Sequence, residues 1–336
     1  MKAIVYEKAG KVIAKEKKLE PTTQSVRIRT AYAGICGTDL SIFAGTHPRA
    51  QENLTMGHEF SGTIENGHPS LPAGTKVTVN PLLSCGQCTP CTTGHPHVCE
   101  TLKLIGIDCD GGMAEFVDVP VGNIVTLPEQ MPLEVGALAE PVAVTVHAIR
   151  QGGYTPGDRA LVFGAGTIGL CLALTLRATG AAEVVIVETN AHRLKKAEEL
   201  GFVAINPLDT PVMDFVNTQT NGSGYDCVFD CAGHPAVLAN VMESVRVRGK
   251  IVIIAGYKKP AEVNLLKGMF KELSIQFVRV YTDKDFDIAL DLLMKHDQYQ
   301  AIITHTLPPE EAKEGFDLLT QSSDAVKVLF DFTGEA

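Results

Sequence analysis

The sequence predicts an α/β protein built from a β-rich part and a doubly wound parallel sheet. Residues 1 to about 142 consist of short apolar alternations broken by glycine and proline, a pattern typical of strands and turns. From about residue 143, helical patterns of about ten to fifteen residues alternate with short apolar strands, which indicates a parallel sheet covered by helices. From about residue 281, two amphipathic helical stretches and a last strand follow. We therefore expect three segments, 1–142, 143–280 and 281–336.

Individual elements follow from local patterns. In the first part, strands are predicted over residues 26–37, 60–67, 75–81 and 114–120, where apolar residues alternate between turn-forming residues. In the second part, the predicted strands are RALVF, AEVVIVE, YDCVFD, GKIVIIAG and LSIQFVRV. The predicted helices lie in TIGLCLALTLRATG, NAHRLKKAEELG and PAVLANVMESV, and the last segment adds helices in FDIALDLLMKH and EEAKEGFDLLTQ and the strand AVKVLFDF.

Length and composition limit the class of protein. A chain of 336 residues with 45% hydrophobic residues can form two domains with sizeable cores. No apolar run approaches the roughly 18 residues of a membrane-spanning helix. The N-terminus, MKAIVYEKAGKVIAKEKK, lacks the apolar core of a signal peptide, so we expect a cytoplasmic protein without a membrane partner. The net charge of −10 argues against a nucleic-acid partner, which a basic surface would attract.

Four cysteines, Cys85, Cys88, Cys91 and Cys99, lie within one short segment, SCGQCTPCTTGHPHVC. Their spacing, C-x2-C-x2-C-x7-C, allows one loop to bring four thiolates around a tetrahedral zinc ion. Disulfides or free thiols are the alternatives, but a reducing cytoplasm favours thiolates kept for metal. A shell of four thiolates leaves no open position for substrate, so we expect a structural zinc in a lobe of about residues 80–105.

A glycine-rich turn follows the predicted strand RALVF and opens a helix. Its GxGxxG pattern permits a tight turn, the close approach of a pyrophosphate and the packing of helix on strand. The N-terminus of the helix adds amide donors and a partial positive charge for phosphates. The candidate coenzyme-binding residues of this turn are Gly164, Gly166, Thr167, Ile168 and Gly169.

An acidic residue follows the next predicted strand. Glu188 ends VVIVE, nineteen residues after Gly169. An acid in this position binds the hydroxyls of an adenosine ribose and repels a 2′-phosphate. The nearest arginine is Arg193, a further candidate coenzyme contact. This pattern favours NAD over NADP, and a plain βα turn with a surface glutamate is the alternative.

Other metal-ligating side chains are dispersed over three segments. Cys36 lies in AGICGTD, His58 and Glu59 lie in MGHEFSG, and Glu140 lies in ALAEPVAVTVH. A thiolate, an imidazole and a carboxylate would make a three-ligand site with an open position, as catalytic zinc requires. From residue types alone, a buried structural cysteine and a satisfied core histidine are the simpler interpretation.

The order of these motifs resembles the zinc-dependent medium-chain alcohol dehydrogenases. The motifs are AGICGTD, GHEFSG, the cysteine quartet, DGGMAEF, EPVAVTVHA and GAGTIG. The resemblance spans nearly the whole chain, including ITHTLPPEEAKEGF near its end. The glutamate in EPVAVTVHA is similar to the polyol and threonine branch, which includes sorbitol, galactitol-phosphate and butanediol dehydrogenases. Ethanol-type enzymes place a second cysteine in that region.

This resemblance implies an architecture and a set of ligands. A GroES-like catalytic domain would be formed by the N-terminal part and a C-terminal return, with a Rossmann coenzyme domain inserted between them. Cys36 and His58 would bind a catalytic zinc together with Glu59 or Glu140, and both glutamates are named because members of this branch differ. The implied cofactors are two zinc ions per chain and NAD, and the implied assembly is a homodimer or homotetramer.

The implied reaction is the reversible oxidation of a secondary alcohol to a ketone. Thr38 stands where the family places an acceptor for the alcohol proton, and Asp39 is a candidate acceptor for the ring N–H of His58. The histidine of the usual proton relay is replaced by Ser41. His47, water or the ribose would then carry the proton.

The substrate class stays open. We expect a polyol, a sugar alcohol, or a sugar acid or phosphate, with Arg49 as a candidate partner for an anionic group. L-Threonine and 2,3-butanediol are alternatives. A non-catalytic protein that binds partners through its zinc lobe is an alternative of another class, against which the acidic composition and the GxGxxG turn argue.

Overall fold

The chain divides into two compact units in a computed structural model that describes residues 1–19, 25–321 and 323–334. Unit 1 comprises Met1–Glu140 and Thr282–Ala336, and unit 2 comprises Pro141–Tyr281. The chain therefore leaves unit 1, forms unit 2 and returns to unit 1.

Short strands dominate the first half of the chain, and strands alternate with helices from Arg159 onward. The strands are β1 (Lys2–Lys8), β2 (Lys11–Glu16), β3 (Ser25–Gly34), β4 (Leu54–Thr55), β5 (Glu59–Ile64), β6 (Lys76–Val79), β7 (Leu82–Leu83), β8 (Lys103–Leu104), β9 (Phe116–Pro120), β10 (Ile124–Thr126), β11 (Arg159–Phe163), β12 (Glu183–Val187), β13 (Val203–Ile205), β14 (Tyr225–Asp230), β15 (Val245–Ile253), β16 (Ser274–Phe277), β17 (Ile303–Leu307) and β18 (Lys327–Asp331). The helices are α1 (Gly37–Phe43), α2 (Thr89–Thr92), α3 (Leu133–Gly136), α4 (Ala139–Gln151), α5 (Thr167–Ala178), α6 (Ala191–Glu199), α7 (Val212–Thr220), α8 (Pro235–Ser244), α9 (Leu265–Phe270), α10 (Asp283–Lys295) and α11 (Ala312–Thr320).

The main sheet of unit 1 has the order β10-β6-β5-β3-β18-β17, and β9 also pairs with β3. Strand β3 runs antiparallel to β5, β9 and β18, whereas β17 and β18 are parallel. Strand β18 comes from the returning segment and lies between β3 and β17. The sheet that carries the N-terminal motifs is therefore completed only by the end of the chain.

Aromatic packing holds the returning segment in place. Phe316 on α11 and Phe330 on β18 are buried with ring centroids 6.5 Å apart, and Phe43 at the end of α1 lies 5.3 Å from Phe316. Buried rings contribute large apolar areas, so these contacts stabilise the docking of α11 against the N-terminal part.

Unit 2 contains a six-stranded parallel sheet of order β13-β12-β11-β14-β15-β16. Counted by appearance in the chain, this is the order 3-2-1-4-5-6 of the doubly wound dinucleotide-binding fold. Strand β11 is almost wholly apolar and buried, as expected for a parallel strand covered on both faces. The predicted fold class is confirmed.

Some local predictions were wrong. The strand predicted over residues 26–37 ends at Gly34, and Gly37 already begins α1. The reason is a local cap, because the Asp39 carboxylate accepts the N–H of Cys36 at 2.9 Å and stabilises the start of the helix. The short strand β13 and helix α7 were not predicted, because their sequence patterns are brief. Among the described residues, no helix is both long and apolar enough to cross a lipid bilayer.

Candidate metal centres and coenzyme site

The glycine turn lies in unit 2 between β11 and α5. Gly164 has a φ of +100°, which a side chain would strain. At Gly169, an added Cβ would lie 1.9 Å from the carbonyl oxygen of Gly164, so glycine is required for this close packing. Gly166 precedes the helix, and Thr167 and Ile168 form its first turn. The N-terminus of α5, with its partial positive charge, suits a pyrophosphate.

Glu188 directly follows β12 and is only 8% exposed. Its Oε2 accepts the N–H of Ala165 at 2.7 Å, and its Oε1 accepts the N–H groups of Thr189 and Asn190, both at 2.8 Å. The carboxylate is therefore fixed beside the glycine turn. This is the place from which an acid reaches the ribose of a bound dinucleotide.

Arg193 approaches the same turn from α6. Its Nη1 lies 4.0 Å from the position that a Cβ on Gly166 would occupy. The buried Nε of Arg193 has no hydrogen-bond partner among the described residues. A guanidinium with an unpaired N–H beside a helix N-terminus is chemically suited to a phosphate. The donors of this turn thus fit a dinucleotide.

The cysteine quartet forms a compact cluster in unit 1. The Cys88 sulfur lies 3.4 Å from the Cys91 sulfur and 3.8 Å from the Cys99 sulfur, and the Cys85 and Cys91 sulfurs are 4.0 Å apart. A tetrahedron with Zn–S bonds of about 2.3 Å has sulfur separations of about 3.8 Å. All nine cysteines are free, so the quartet holds four thiols and no disulfide.

Backbone amides already support negative charge in this quartet. The N–H of Cys85 donates to the Cys99 sulfur at 3.3 Å, and the N–H of Cys88 donates to the Cys85 sulfur at 3.4 Å. Amide donors from Gln87 and Cys88 lower the pKa of Cys85 to about 6. Because the thiolate is the form that binds zinc, the lowered pKa suits Cys85 to a metal ion, whereas desolvation and the neighbouring Cys88 thiol raise the pKa of Cys91 to about 12.

The structure brings together three of the four dispersed ligand candidates. Cys36 precedes α1 after β3, whereas His58 directly precedes β5, the partner of β3, and Glu59 is the first residue of β5. One ligand atom from each of these three residues lies within 4.8 Å of the others. Glu140, in the first turn of α4, is outside that group, although its charge helps to raise the pKa of Cys36.

The surroundings of this cluster suit a cation. Burial, and then the charge of Asp39, raise the pKa of the Cys36 thiol to about 11, and burial also raises the pKa of Asp39. His58 Nδ1 faces Asp39 Oδ1 at 3.8 Å, longer than a hydrogen bond, and neither buried atom has a hydrogen-bond partner among the described residues. A metal ion on the other ring nitrogen would favour a proton on Nδ1, directed at Asp39.

Lys327 is a site residue that the sequence analysis missed. It lies on β18, is 0% exposed, and its ammonium group donates to Glu59 Oε2 and, at 2.9 Å, to the carbonyl of Ile35. Burial lowers the pKa of Lys327 to about 8. An added Cβ on Gly34 would lie 2.6 Å from Lys327 Cε, so the glycine makes room for the lysine. A lysine inside the apolar run AVKVLF was the available signal, because buried lysines are almost always paired.

The candidate proton-transfer residues occupy α1. Thr38 is half-buried, and its backbone N–H donates to the Cys36 sulfur. The hydroxyl of Ser41 donates to the carbonyl of Gly37 at 3.3 Å, within the same helix. Ser41 is therefore bonded to its own backbone at the position where a relay histidine was expected.

His47 and Arg49 are engaged by their neighbours. The Nδ1 of His47 accepts N–H groups of Arg49 at 3.4 Å and Ala50 at 3.3 Å, so its Nε2 carries the proton in the neutral ring. Burial and the charge of Arg49 lower the pKa of His47. The Nη1 of Arg49 donates to the carbonyl of Leu102 at 2.8 Å and lies 3.2 Å from Asp108. Arg49 is thus already neutralised and does not itself indicate an anionic substrate.

Comparison with known proteins agrees with both halves of this description. The alcohol dehydrogenase GroES-like domain family matches residues 22–129, and the zinc-binding dehydrogenase family matches residues 167–295. The 2-dehydro-3-deoxy-L-galactonate 5-dehydrogenase of Pseudoalteromonas atlantica is 32% identical over 322 residues, covering 94% of each protein. The L-threonine 3-dehydrogenase of Caldanaerobacter subterraneus is 31% identical over 343 residues, covering 98% of this chain and 99% of the relative.

A solved structure extends the likeness to the whole fold. The alcohol dehydrogenase rspB of Escherichia coli CFT073, complexed with the cofactor NADH, has a TM-score of 0.90 and 32% identity, covering 98% of this chain and 99% of that chain. The chain belongs to the zinc-type medium-chain alcohol dehydrogenases. It is a zinc-dependent alcohol oxidoreductase that uses a nicotinamide cofactor, with a GroES-like part and a Rossmann part as predicted. These matches argue against the alternative of a non-catalytic protein that binds partners through its zinc lobe.

Replacing a cysteine of the quartet and replacing Cys36 should have different effects on this dehydrogenase. We expect Cys91→Ser to remove about one zinc ion per chain and to lower the melting temperature, because a closed shell of four thiolates contributes directly to folding. We expect Cys36→Ala to abolish alcohol oxidation while the melting temperature and NADH binding stay close to those of the wild type. Zinc content, thermal unfolding and turnover measure these effects, and a Cys36→Ala enzyme with undiminished turnover would contradict the assignment.

The buried ion pair should be important for stability. Lys327→Met leaves the Glu59 carboxylate buried without its cation, and we expect a loss of about 3–5 kcal/mol in the free energy of unfolding. The double variant Lys327→Met/Glu59→Gln should regain part of that loss, because it removes the unpaired charge. Lys313→Met, which breaks an exposed pair with Asp317, is the matched control and should change stability by less than about 1 kcal/mol. Urea denaturation of the three variants tests the prediction, and equal losses at Lys327 and Lys313 would contradict it.

Proposed function

We propose that this enzyme catalyses the reversible, NAD-dependent oxidation of a secondary alcohol of the polyol, sugar-alcohol or sugar-acid type. The observation that carries the proposal is the group of half-buried Cys36 with buried His58 and Glu59, whose ligand atoms lie within 4.8 Å of one another. A thiolate, an imidazole and a carboxylate leave one position of a tetrahedral ion open for a substrate oxygen. The identity with a sugar-acid dehydrogenase supports the substrate class.

We further propose two zinc ions per chain. The cysteine quartet would hold a structural ion, and Cys36 and His58 would hold a catalytic ion. Glu59 supplies the third ligand in this arrangement, since Lys327 occupies only its Oε2. Glu140 is the nearby carboxylate whose negative charge favours a cation at Cys36.

The residues around the cluster divide the chemical tasks. When bound, zinc would act as a Lewis acid on the substrate oxygen, and NAD would accept the hydride. With a metal ion on the other ring nitrogen of His58, Asp39 Oδ1, which lies 3.8 Å from His58 Nδ1, would accept the Nδ1 proton and orient the ring, while the other oxygen of Asp39 accepts the N–H of Cys36. The Thr38 hydroxyl accepts the proton of the alcohol. Burial of His58 and Asp39 keeps the surroundings of the reacting oxygen at low polarity, which strengthens these electrostatic effects.

The proton then has to leave by a route other than Ser41, whose hydroxyl is bonded to Gly37. We propose His47 for this step. Its neutral ring is fixed by two backbone N–H groups at Nδ1, and its lowered pKa favours release of a proton to solvent.

The preference for NAD over NADP follows from Glu188. This carboxylate is fixed by three backbone N–H groups and therefore keeps its position. A 2′-phosphate placed beside it would meet a like charge in a largely buried site, whereas two ribose hydroxyls would find an acceptor.

A threonine dehydrogenase is the second candidate function. It is supported by the 31% identity with the L-threonine 3-dehydrogenase of Caldanaerobacter subterraneus. L-Threonine and the polyol-type substrates are all secondary alcohols, so the same group of Cys36, His58 and Glu59 and the same coenzyme site would serve either reaction.

We also propose that two copies associate through the edge of the unit 2 sheet. Strand β16 is the last strand of that sheet, and all four of its residues are exposed. Large exposed apolar side chains lie on β16 itself, on its partner β15, and on α9 and the residues just before it in the chain. They are Val247, Val263, Leu265, Leu266, Met269, Phe270, Ile275 and Phe277. An unpaired edge strand with such an apolar surface is a typical site for pairing with a second copy around a two-fold axis.

The substrate class can be tested by an NAD-reduction screen. We expect NADH formation with at least one of a panel of polyols, sugar acids, sugar phosphates, L-threonine and 2,3-butanediol, and at least tenfold lower kcat/KM with NADP than with NAD because of Glu188. Cys36→Ala is the control and should give no NADH. Activity that survives this substitution, or the absence of NADH with the whole panel, would contradict the proposal.

The proposed assembly predicts that a charge on β16 separates the copies. Phe277 is 72% exposed, and Phe277→Asp should give a monomer in light scattering where the wild type gives a dimer or tetramer. Leu208, 78% exposed elsewhere in unit 2, provides the matched control, and Leu208→Asp should leave the assembly unchanged. A wild-type monomer, or equal effects of both substitutions, would contradict the pairing.

A further inference from the structure

In addition to Glu188, the carboxylate of Asp230 holds loops at the C-terminal ends of the strands in unit 2. Asp230 is the last residue of β14 and is 0% exposed. Its Oδ1 accepts the N–H groups of Ala232 at 2.9 Å and Gly233 at 3.0 Å. Its backbone carbonyl accepts the N–H groups of Ile254 at 3.0 Å and Ala255 at 3.1 Å, which follow β15. One residue thus joins the loops after β14 and β15.

Tyr257 completes this connection. Its hydroxyl donates to Asp230 Oδ2 at 2.5 Å and also lies 3.3 Å from the carbonyl of His234. Burial and then the hydrogen bond to Asp230 raise the pKa of Tyr257, so the hydroxyl keeps its proton at neutral pH. We refer to this hydrogen bond as the Asp230–Tyr257 latch.

The latch lies beside the glycine turn. Strand β14 pairs with β11, with Asp230 opposite Phe163, and the N–H of Cys231 donates to the Phe163 carbonyl at 2.9 Å. A Cβ on Gly164 would lie 3.3 Å from the nitrogen of Ala232. The loop after β14 therefore borders the first glycine of the turn directly.

Glu188 and the latch lie on opposite sides of the point where the strand order reverses. Glu188 follows β12, which adjoins β11 on one side, whereas the latch follows β14 and β15 on the other side. A dinucleotide lies across such a reversal, with its pyrophosphate at the helix N-terminus and its adenosine ribose at the acid after the second strand. The nicotinamide half must then lie over the loops after β14 and β15.

Two glycines make these loops suitable for close contact. Gly233 has a φ of +66°, and a Cβ added there would lie 3.0 Å from the Cβ of Ala255. Gly256 has no atom within 4 Å of its Cβ position, so its backbone is open to approach by a ligand. A flexible glycine segment needs an anchor to hold one conformation, and Tyr257, the next residue, provides it.

We propose that the Asp230–Tyr257 latch positions the loops after β14 and β15 for the nicotinamide half of the coenzyme. Asp230 and Tyr257 act as positioning residues, in parallel with Glu188, which fixes the loops on the adenosine side. The inference rests on the proposed use of NAD. It predicts that loss of the latch weakens binding of the whole coenzyme but spares binding of its adenosine and phosphate part.

The experiment compares NADH with ADP, which has the adenosine and the pyrophosphate but no nicotinamide. Dissociation constants for both are measured by calorimetry with the full-length zinc-loaded enzyme and its Tyr257→Phe variant. We expect NADH to bind about five- to twentyfold more weakly to the variant, because a buried acceptor loses its donor, while ADP stays within about twofold. Tyr154→Phe is the matched control, because its hydroxyl bonds the Thr179 carbonyl at 3.3 Å in the same unit, and it should change neither constant.

Equal weakening of NADH and ADP, or no change in either with an intact fold, would overturn the proposal. Hydrogen exchange of the wild type gives a second measurement that does not depend on a variant. NADH should slow exchange of the amides in residues 231–234 and 255–257, and ADP should not; equal slowing by the two ligands would count against the latch. A wild-type enzyme that binds ADP but not NADH would refute the proposed use of NAD as well as the latch, a result distinguishable from equal weakening.

Discussion

The buried ion pair between Lys327 and Glu59 links the end of the chain to the first motifs that carry metal-ligand candidates. Lys327 comes from β18, Glu59 comes from β5, and β3 lies between them. Removing two charges from water is costly, and only a well-aligned partner compensates for it. That alignment depends on the sheet, which places Gly34 where the lysine must pass and the Ile35 carbonyl where its ammonium group ends. The geometry of the Cys36, His58 and Glu59 cluster therefore depends on the returning segment, although none of the described residues of that segment belongs to the cluster.

Buried carboxylates fix the loops that carry function in both units. Asp39 accepts the N–H of Cys36, Glu188 accepts three N–H groups around the glycine turn, and Asp230 accepts two N–H groups and the Tyr257 hydroxyl. Hydrogen bonds to an ionised acceptor are stronger than those between neutral groups, and a desolvated carboxylate needs all of them. Each loop is thus held in part by the side chain of a neighbouring acid. This leaves glycine backbones such as Gly166 and Gly256 free to approach a ligand.

Sequence patterns predicted the features that depend on neighbours in the chain. The four cysteines lie in one short loop, and their sulfurs come together as their spacing predicts. The glycine turn lies within one strand–turn–helix unit and likewise opens a helix as predicted. The dispersed cluster is different, because Cys36 and His58 meet only when β3 pairs with β5, and residue types alone favoured a simpler interpretation. Only the resemblance to a family indicated that Cys36 and His58 belong to one metal site. Lys327 was missed for the same reason, since its partner lies on a distant strand.

The charged side chains of unit 1 limit the ion pairs that an anionic substrate could form there. Arg49 is neutralised by Asp108, and Lys327 is neutralised by Glu59, so neither cation is available for a carboxylate or phosphate of the substrate. Asp39 and Glu140 add negative charge near Cys36, which favours a metal cation and disfavours a second anion. An acidic substrate would have to obtain its positive partner from the metal itself or from outside these residues. A neutral polyol needs only hydroxyl partners, so the electrostatics of the cluster favour a polyol over a sugar acid within the proposed substrate class.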